Sequence, residues 1–279
     1  MHKLKLIISG PMLEIYEYDL APRKPYKIRL TPEEREKKER LFGKKDAIEV
    51  PKTSFYRSRK VAKRIMFCNA WRWVKENGLP FPPFFLTLTF AENIQDIPLA
   101  RDIFRKFIQR FNYELGYKKA YLQYIAIREF QERGAIHFHL ILFNLPYMKD
   151  KVYAKIREAW GQGRIDLKMI KNMSTLVHYL SKYMVKDAEN GKLAGLKRYQ
   201  TSKKVIRPSV IANDNYAVLD VMNRLENKLV YQTEFEAEFI GIIKYKQYLL
   251  GKDDNLLELL GLDHHPNEDI LSVLTKETV

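Results

Sequence analysis

The 279-residue chain has few of the features that mark secreted and membrane proteins. A single cysteine, Cys68, excludes an internal disulfide and a cysteine-based zinc site. Such usage is typical of a reducing compartment, and we expect a cytoplasmic protein. No apolar run approaches the ~18 residues that cross a bilayer, so no membrane partner is expected. The apolar N-terminal patch soon reaches Glu14 and Glu17, which predicts a strand rather than a signal peptide.

Acidic residues are also scarce relative to basic ones. The 49 lysines and arginines outnumber the 34 aspartates and glutamates, which gives a net charge of +15. This excess favours a polyanionic partner, either nucleic acid or an anionic membrane surface. No GxxxxGK[ST] segment is present, so the sequence predicts no ATPase of the phosphate-binding-loop type.

The composition divides the chain into three consecutive regions. Residues 1–78 form a basic region with an amphipathic helix, which the stop signal Asn77-Gly78 is predicted to end. Residues 79–210 form the predicted core, and residues 211–279 form an accessory region with an acidic tail. The two outer regions are expected to be a basic N-terminal extension and a C-terminal extension of mixed character.

The core alternates strand and helix signals in an order typical of an α+β fold. We predict a central antiparallel sheet with helices packed on it. The predicted strands are 83–90, 120–130, 135–143 and 164–170, and the predicted helices are 96–116, 152–161 and 174–187.

The most specific motif is His137-Phe138-His139 in the third of these strands. Alternate side chains of a strand share a face, so both imidazoles point to one side and Phe138 to the other. Two imidazoles on one face can chelate a divalent metal. Taken alone, the pair is more simply explained as two incidental histidines in a strand.

The hairpin that precedes His137 shifts this balance. A three-residue loop ending in a left-handed Gly134 would place Glu129 opposite His137. Opposed residues project to the same side of a sheet, so Glu129, His137 and His139 would converge. Two nitrogens and a carboxylate suit Mg²⁺ or Mn²⁺. A one-residue slip of the register would turn Glu129 away.

A second motif pairs Tyr179 and Tyr183 one helical turn apart, with Lys182 and Lys186 beside them. A tyrosine hydroxyl can attack a phosphodiester and become covalently joined to the phosphate. Its ordinary pKa is ~10, so a nearby lysine or metal must help it ionise. We predict that these four residues are catalytic. The alternative is a pair of amphipathic surface tyrosines.

Three segments together resemble the HUH endonucleases, which carry two histidines around a bulky hydrophobic residue. The greatest similarity is to the two-tyrosine rolling-circle replication initiators of small single-stranded DNA phages and plasmids. Residues 85–90 resemble the first motif of that family, residues 129–139 its metal motif, and residues 179–186 its tyrosine motif. The three occur in the family's order.

The resemblance implies a ferredoxin-like or RNA-recognition-like core and a metal-dependent nickase. Such an enzyme cuts single-stranded or hairpin origin DNA, leaves a 5′-phosphotyrosine and a free 3′-hydroxyl, and later rejoins the strands. Tyr179 or Tyr183 would attack, and the sequence does not rank them. A helicase and a polymerase would come from the host or be separately encoded.

Two other functions stay open. A transposase or relaxase uses the same chemistry, although relaxases usually add a third histidine and residues 140–144 contain none. A non-catalytic basic protein would bind nucleic acid without needing metal. Phe84, Phe85 and Tyr121 could stack on bases, but core packing is the favoured role for most of them.

Overall fold

The structure, a computed structural model, comprises two compact units. A terminal unit combines residues 1–38 with 207–279, and a central unit spans residues 39–206. Each contains a five-stranded antiparallel sheet. The residues described are 3–22, 52–73, 75–146, 149–172, 175–179, 182, 199–213, 223–237 and 240–251.

The central unit confirms the predicted alternation of strands and helices. Its elements are α1 (Lys52–Asn69), β3 (Phe84–Thr89), α2 (Ile97–Glu114), β4 (Tyr124–Phe130), β5 (Ile136–Leu142), α3 (Lys149–Trp160), β6 (Ile165–Met169), helical residues 175–179 and β7 (Tyr199–Thr201). The strands lie in the order β6-β3-β5-β4-β7. The first four have the order of a β-α-β-β-α-β ferredoxin-like unit, and β7 adds an edge strand. The α+β prediction is therefore confirmed.

Helices α1 and α2 begin and end for local reasons. The Asp96 carboxylate accepts a hydrogen bond from the Leu99 amide at 2.6 Å, which caps α2. Gly116, at φ 87°, follows the helix end as predicted. Helix α1 ends at Asn69, earlier than the predicted stop at Asn77-Gly78. Trp71 has φ 56°, a left-handed conformation that cannot continue a right-handed helix.

Both faces of the central sheet are covered, and every residue of β5 is buried. Phe138 and Leu140 point into a core shared with Phe104, Phe107 and Ile156, which α2 and α3 supply. The opposite face carries the two histidines and a second apolar cluster. That cluster comprises Phe85, Ile125 and Ile141 of the sheet, Ile65 and Met66 of α1, and Leu176. Polar groups on this face of β5 therefore lie in an apolar setting.

The end of β3 is clamped by a close backbone approach at Gly163. This glycine has φ 145°, and a Cβ built on it would lie 2.5 Å from the Thr89 carbonyl oxygen and 2.6 Å from the Ala91 amide nitrogen. The neighbouring amides of Thr89 and Ala91 donate to the carbonyls of Arg164 and Gln162 at 2.9 and 2.7 Å. No side chain fits here without breaking this pairing.

We therefore expect Gly163→Ala to lower the free energy of unfolding by about 2–4 kcal/mol, because it adds both backbone strain and a backbone clash. Gly116→Ala is the matched control, since its φ is also positive but nothing lies within 4 Å of the added Cβ. It should cost about 1 kcal/mol. Urea unfolding of both variants measures the difference, and equal losses would contradict the close-packing argument.

The terminal unit is built from both ends of the chain. Its elements are β1 (Leu4–Ser9), β2 (Met12–Tyr18), β8 (Ser209–Asn213), a short 3₁₀ helix (Glu226–Lys228), β9 (Leu229–Ala237) and β10 (Gly241–Leu249). The strand order is β8-β1-β2-β10-β9. The expected N-terminal strand is present as a hairpin of β1 and β2.

This arrangement differs from the three consecutive regions expected from the sequence. Strand β2 pairs with β10 from Met12↔Leu249 to Tyr18↔Ile243, so the first and last described segments share one sheet. The N-terminal strands are therefore an integral part of a second unit rather than an extension. The acidic tail lies outside the described residues. Within the described ranges, no helix is long and apolar enough to cross a bilayer.

Candidate active site

The β4–β5 hairpin has the register predicted from its loop. Glu129 pairs with His137, and Ile127 pairs with His139. Gly134 has φ 86°, and the Gln131 amide donates to the Ala135 carbonyl at 2.9 Å. Because opposed residues project to the same side, Glu129, His137 and His139 share one face of the sheet.

The loop of this hairpin is tied to the segment after β3, which the sequence did not indicate. The Arg133 guanidinium donates from Nη2 to the Phe90 carbonyl at 2.7 Å and from Nε to Gln131 Oε1 at 3.0 Å. The Ile136 amide donates to the Ile94 carbonyl at 2.8 Å. These contacts anchor the hairpin loop and so position the start of β5, where His137 lies.

The His139 imidazole is held at both nitrogens. Its Nε2 lies 2.6 Å from Glu129 Oε2, and its Nδ1 lies 3.2 Å from Thr87 Oγ1. An ionised carboxylate only accepts, so Nε2 donates to Glu129 and Nδ1 of the neutral ring accepts from the Thr87 hydroxyl. His139 is 4% exposed and Glu129 is 6% exposed, so this polar chain is shielded from water. Thr87 therefore orients the ring, and the pairing of β3 with β5 is the signal that could have identified it.

His137 lies on the same face, with its ring centroid 6.0 Å from that of His139. Among the described residues, no three histidine, cysteine, aspartate or glutamate side chains already surround a common point as metal ligands do. The donor set of two imidazoles and a carboxylate nevertheless fits a divalent cation by its chemistry. The direct contact between His139 and Glu129 would have to open for both to bind one ion.

Tyr179 lies over the same face through a stack of rings. The Phe85 ring is nearly parallel to His139, with centroids 5.7 Å apart, and nearly parallel to Tyr179, with centroids 4.3 Å apart. The tyrosine expected to lie off the packing face is instead partly buried against the apolar cluster. Phe85 itself is buried, in agreement with the favoured packing role. It links two motif residues that lie 40 positions apart in the sequence.

The remaining predicted residues fall into two groups. Lys182 is helical and exposed. Tyr183 and Lys186 lie outside the described residues, as do the residues that would join them to Lys182. The structure thus brings together Glu129, His137, His139 and Tyr179.

Comparison with known proteins adds a family to this geometry. No curated protein and no solved structure matches the chain. Residues 83–188 match the family model for replication-associated proteins of the ORF2 type. The matched segment runs from the start of β3 past Tyr179 and so contains the whole site described above. This match supports a replication-associated protein of a rolling-circle initiator family.

Proposed function

We propose that this protein is an HUH-type nickase of the two-tyrosine class that initiates rolling-circle replication. It cuts single-stranded or hairpin DNA at an origin, stays covalently joined to the 5′ end and later rejoins the strands. The observation that carries the proposal is the stack of His139, Phe85 and Tyr179, with Glu129 hydrogen-bonded to His139. It puts a candidate nucleophile over the same sheet face as the candidate metal ligands.

The reaction is a transesterification. The phenolic oxygen of Tyr179 or Tyr183 forms a bond to the scissile phosphorus, and the bond from phosphorus to the 3′ oxygen breaks. The phenol loses its proton, and the 3′ oxygen gains one to become a free hydroxyl. Rejoining is the reverse, with a 3′-hydroxyl attacking the phosphotyrosine. The phosphodiester is exchanged rather than hydrolysed, so no nucleotide cofactor is needed.

Glu129, His137 and His139 would hold the divalent cation, Mg²⁺ or Mn²⁺. When bound, the cation supplies Lewis-acid polarisation of the scissile phosphoryl group. Lys182 and Lys186 would attract the phosphate and favour the ionised phenol. Thr87 keeps the Nδ1 side of His139 occupied and so leaves Nε2 as the ligand atom.

The proposed reaction also defines partners. A free 3′-hydroxyl is a primer for a polymerase. Because the chain carries no phosphate-binding loop, unwinding would fall to a helicase of the host or of the same genetic element. Both would be met in the cytoplasm of the host cell.

The test is a covalent-adduct assay with the full chain and a labelled pool of single-stranded circular and hairpin DNA. With Mn²⁺ we expect label to travel with the protein on a denaturing gel, and a chelator should remove that signal. A labelled duplex of the same sequences is the control substrate.

Other outcomes distinguish the alternatives. Salt-sensitive binding that ignores metal, with no adduct on any DNA, would overturn the nickase in favour of a non-catalytic binder. Adducts that form only on transposon-end or plasmid-transfer sequences would favour a transposase or a relaxase.

A further inference from the structure

A groove at the other end of the central sheet is not used by the proposed chemistry. It measures about 530 Å³, within the range of sites that take a small ligand. Its described lining combines aromatic rings, lysines and amides: Trp73, Phe81, Gly116, Tyr117, Lys118, Lys119, Ala120, Tyr121, Gln123, Asn144 and Lys204.

One wall is a pair of stacked tyrosines. The rings of Tyr117 and Tyr121 lie parallel, with an interplanar angle of 8° and centroids 3.6 Å apart. Both are half-buried, so part of this flat surface faces the groove. Burial first, and a hydrogen bond with Tyr117 second, raise the pKa of the Tyr121 hydroxyl, so this hydroxyl stays uncharged.

The backbone beneath these rings is held by two buried asparagines. The Asn112 carbonyl oxygen accepts from the Tyr121 and Leu122 amides at 2.8 and 3.0 Å. The Asn144 side chain donates to the Tyr121 carbonyl at 2.9 Å and accepts from the Gln123 amide at 2.7 Å. Residues 120–123 are not in a strand, yet these hydrogen bonds hold their backbone. The tyrosine wall is therefore preorganised, which lowers the entropy lost on binding.

The opposite wall is a tight turn that follows α1. The Phe81 amide donates to the Trp73 carbonyl at 2.7 Å, and the Lys75 amide donates to the Leu79 carbonyl at 2.9 Å. The turn closes at Gly78, which has φ 76°. Lys75 Nζ lies 6.0 Å from the centroid of the Phe81 ring. Two aromatic side chains and a cation thus border this side.

The charge of the groove is of one sign. Its described lining includes Lys118, Lys119 and Lys204, all exposed, and no aspartate or glutamate. Flat uncharged rings among cations match a chain of phosphates that carries open base faces. A duplex hides its base faces in the stack, so the occupant that fits is a single strand.

The groove and the histidines lie at opposite ends of the β4–β5 hairpin. Tyr124 pairs with Leu142 at the groove end, and Glu129 pairs with His137 at the other end. These pairs are five positions apart on each strand, which corresponds to about 17 Å. A strand seated in the groove would thus be held apart from the bond that is cut.

We propose that the groove between the Tyr117–Tyr121 pair and the 73–81 turn binds single-stranded DNA by base stacking and phosphate contacts. It grips the substrate strand away from the cleaved bond. The inference rests on the proposed function in one respect, that the strand bound here is the one to be nicked. Binding by itself needs neither metal nor tyrosine chemistry.

The experiment measures the affinity of the full-length protein for a fluorescent oligothymidylate, in chelator, by polarisation. Lys118→Gln with Lys119→Gln should weaken binding about tenfold or more and reduce the salt slope by about 1.4. Tyr117→Leu should weaken binding about tenfold through lost stacking, and Tyr117→Phe should bind like the wild type. Thermal melting checks that each variant is folded.

The matched control is Arg101→Gln with Arg157→Gln, which removes the same charge from exposed positions on α2 and α3. It should bind close to the wild type. An equal loss in this control, equal competition by duplex, or groove variants with wild-type affinity would each overturn the proposal. A protein that forms no adduct but loses affinity in the groove variants would refute the nickase and leave the groove intact.

Discussion

Replacing Tyr179 and Tyr183 together with phenylalanine is expected to abolish the covalent adduct, a loss of about 10³-fold or more. Without either hydroxyl, the proposed site has no oxygen that can take the place of the 3′ leaving group. The Tyr179→Phe ring can still stack on Phe85 at the 4.3 Å spacing, so the fold should be retained. The adduct assay on the single and double variants measures this effect.

The single variants show which tyrosine attacks. If either can attack, each single variant keeps an adduct and only the double variant loses it. Tyr113→Phe is the matched control, because Tyr113 is 74% exposed on α2 and lies outside the proposed site. An adduct that persists in the double variant would place the nucleophile elsewhere in the chain.

Replacing His139 with alanine is expected to lower metal-dependent adduct formation by about 100-fold or more. Removing a ligand should cost more than removing the group that orients it, which typically costs about 10–100-fold in metal affinity. Thr87→Val, which deletes only the hydroxyl beside Nδ1, should therefore fall within that smaller range. Calorimetric titration with Mn²⁺ reads metal affinity separately from activity.

The histidine variant also tests the fold. Glu129 loses its hydrogen bond to the imidazole in His139→Ala, which should cost about 1–3 kcal/mol of unfolding free energy. His178→Ala is the control, since His178 is exposed and outside the proposed ligand set. Unchanged Mn²⁺ affinity in His139→Ala would remove the histidine from the metal site.

Local patterns predicted the central unit well because its elements depend on local periodicity. The alternation in β5 and the loop ending in Gly134 defined the pairing of Glu129 with His137 without any structure. Cys68 is buried on α1, as expected of a small core residue. Boundaries were less accurate, since the left-handed conformation of Trp71 follows the early end of α1 and no local sequence signal indicates it.

Contacts between distant segments were beyond the sequence. Nothing local to Phe85 shows that its ring lies between His139 and Tyr179, and nothing local to Arg133 shows that it binds the Phe90 carbonyl. The same holds for β2 and β10, whose pairing joins the two ends of the chain in one sheet. Such pairings depend on which surfaces meet after the elements form.

The sequence by itself determined the order of strands and helices, the shared face of Glu129, His137 and His139, and the basic charge. Each follows from backbone periodicity or from a count of side chains. Only the tertiary structure decided that Thr87 orients His139, that Tyr179 packs onto that face, and that Tyr117 and Tyr121 wall a lysine-lined groove. The reason is that packing between separate elements sets these contacts, and no local pattern encodes which elements will meet.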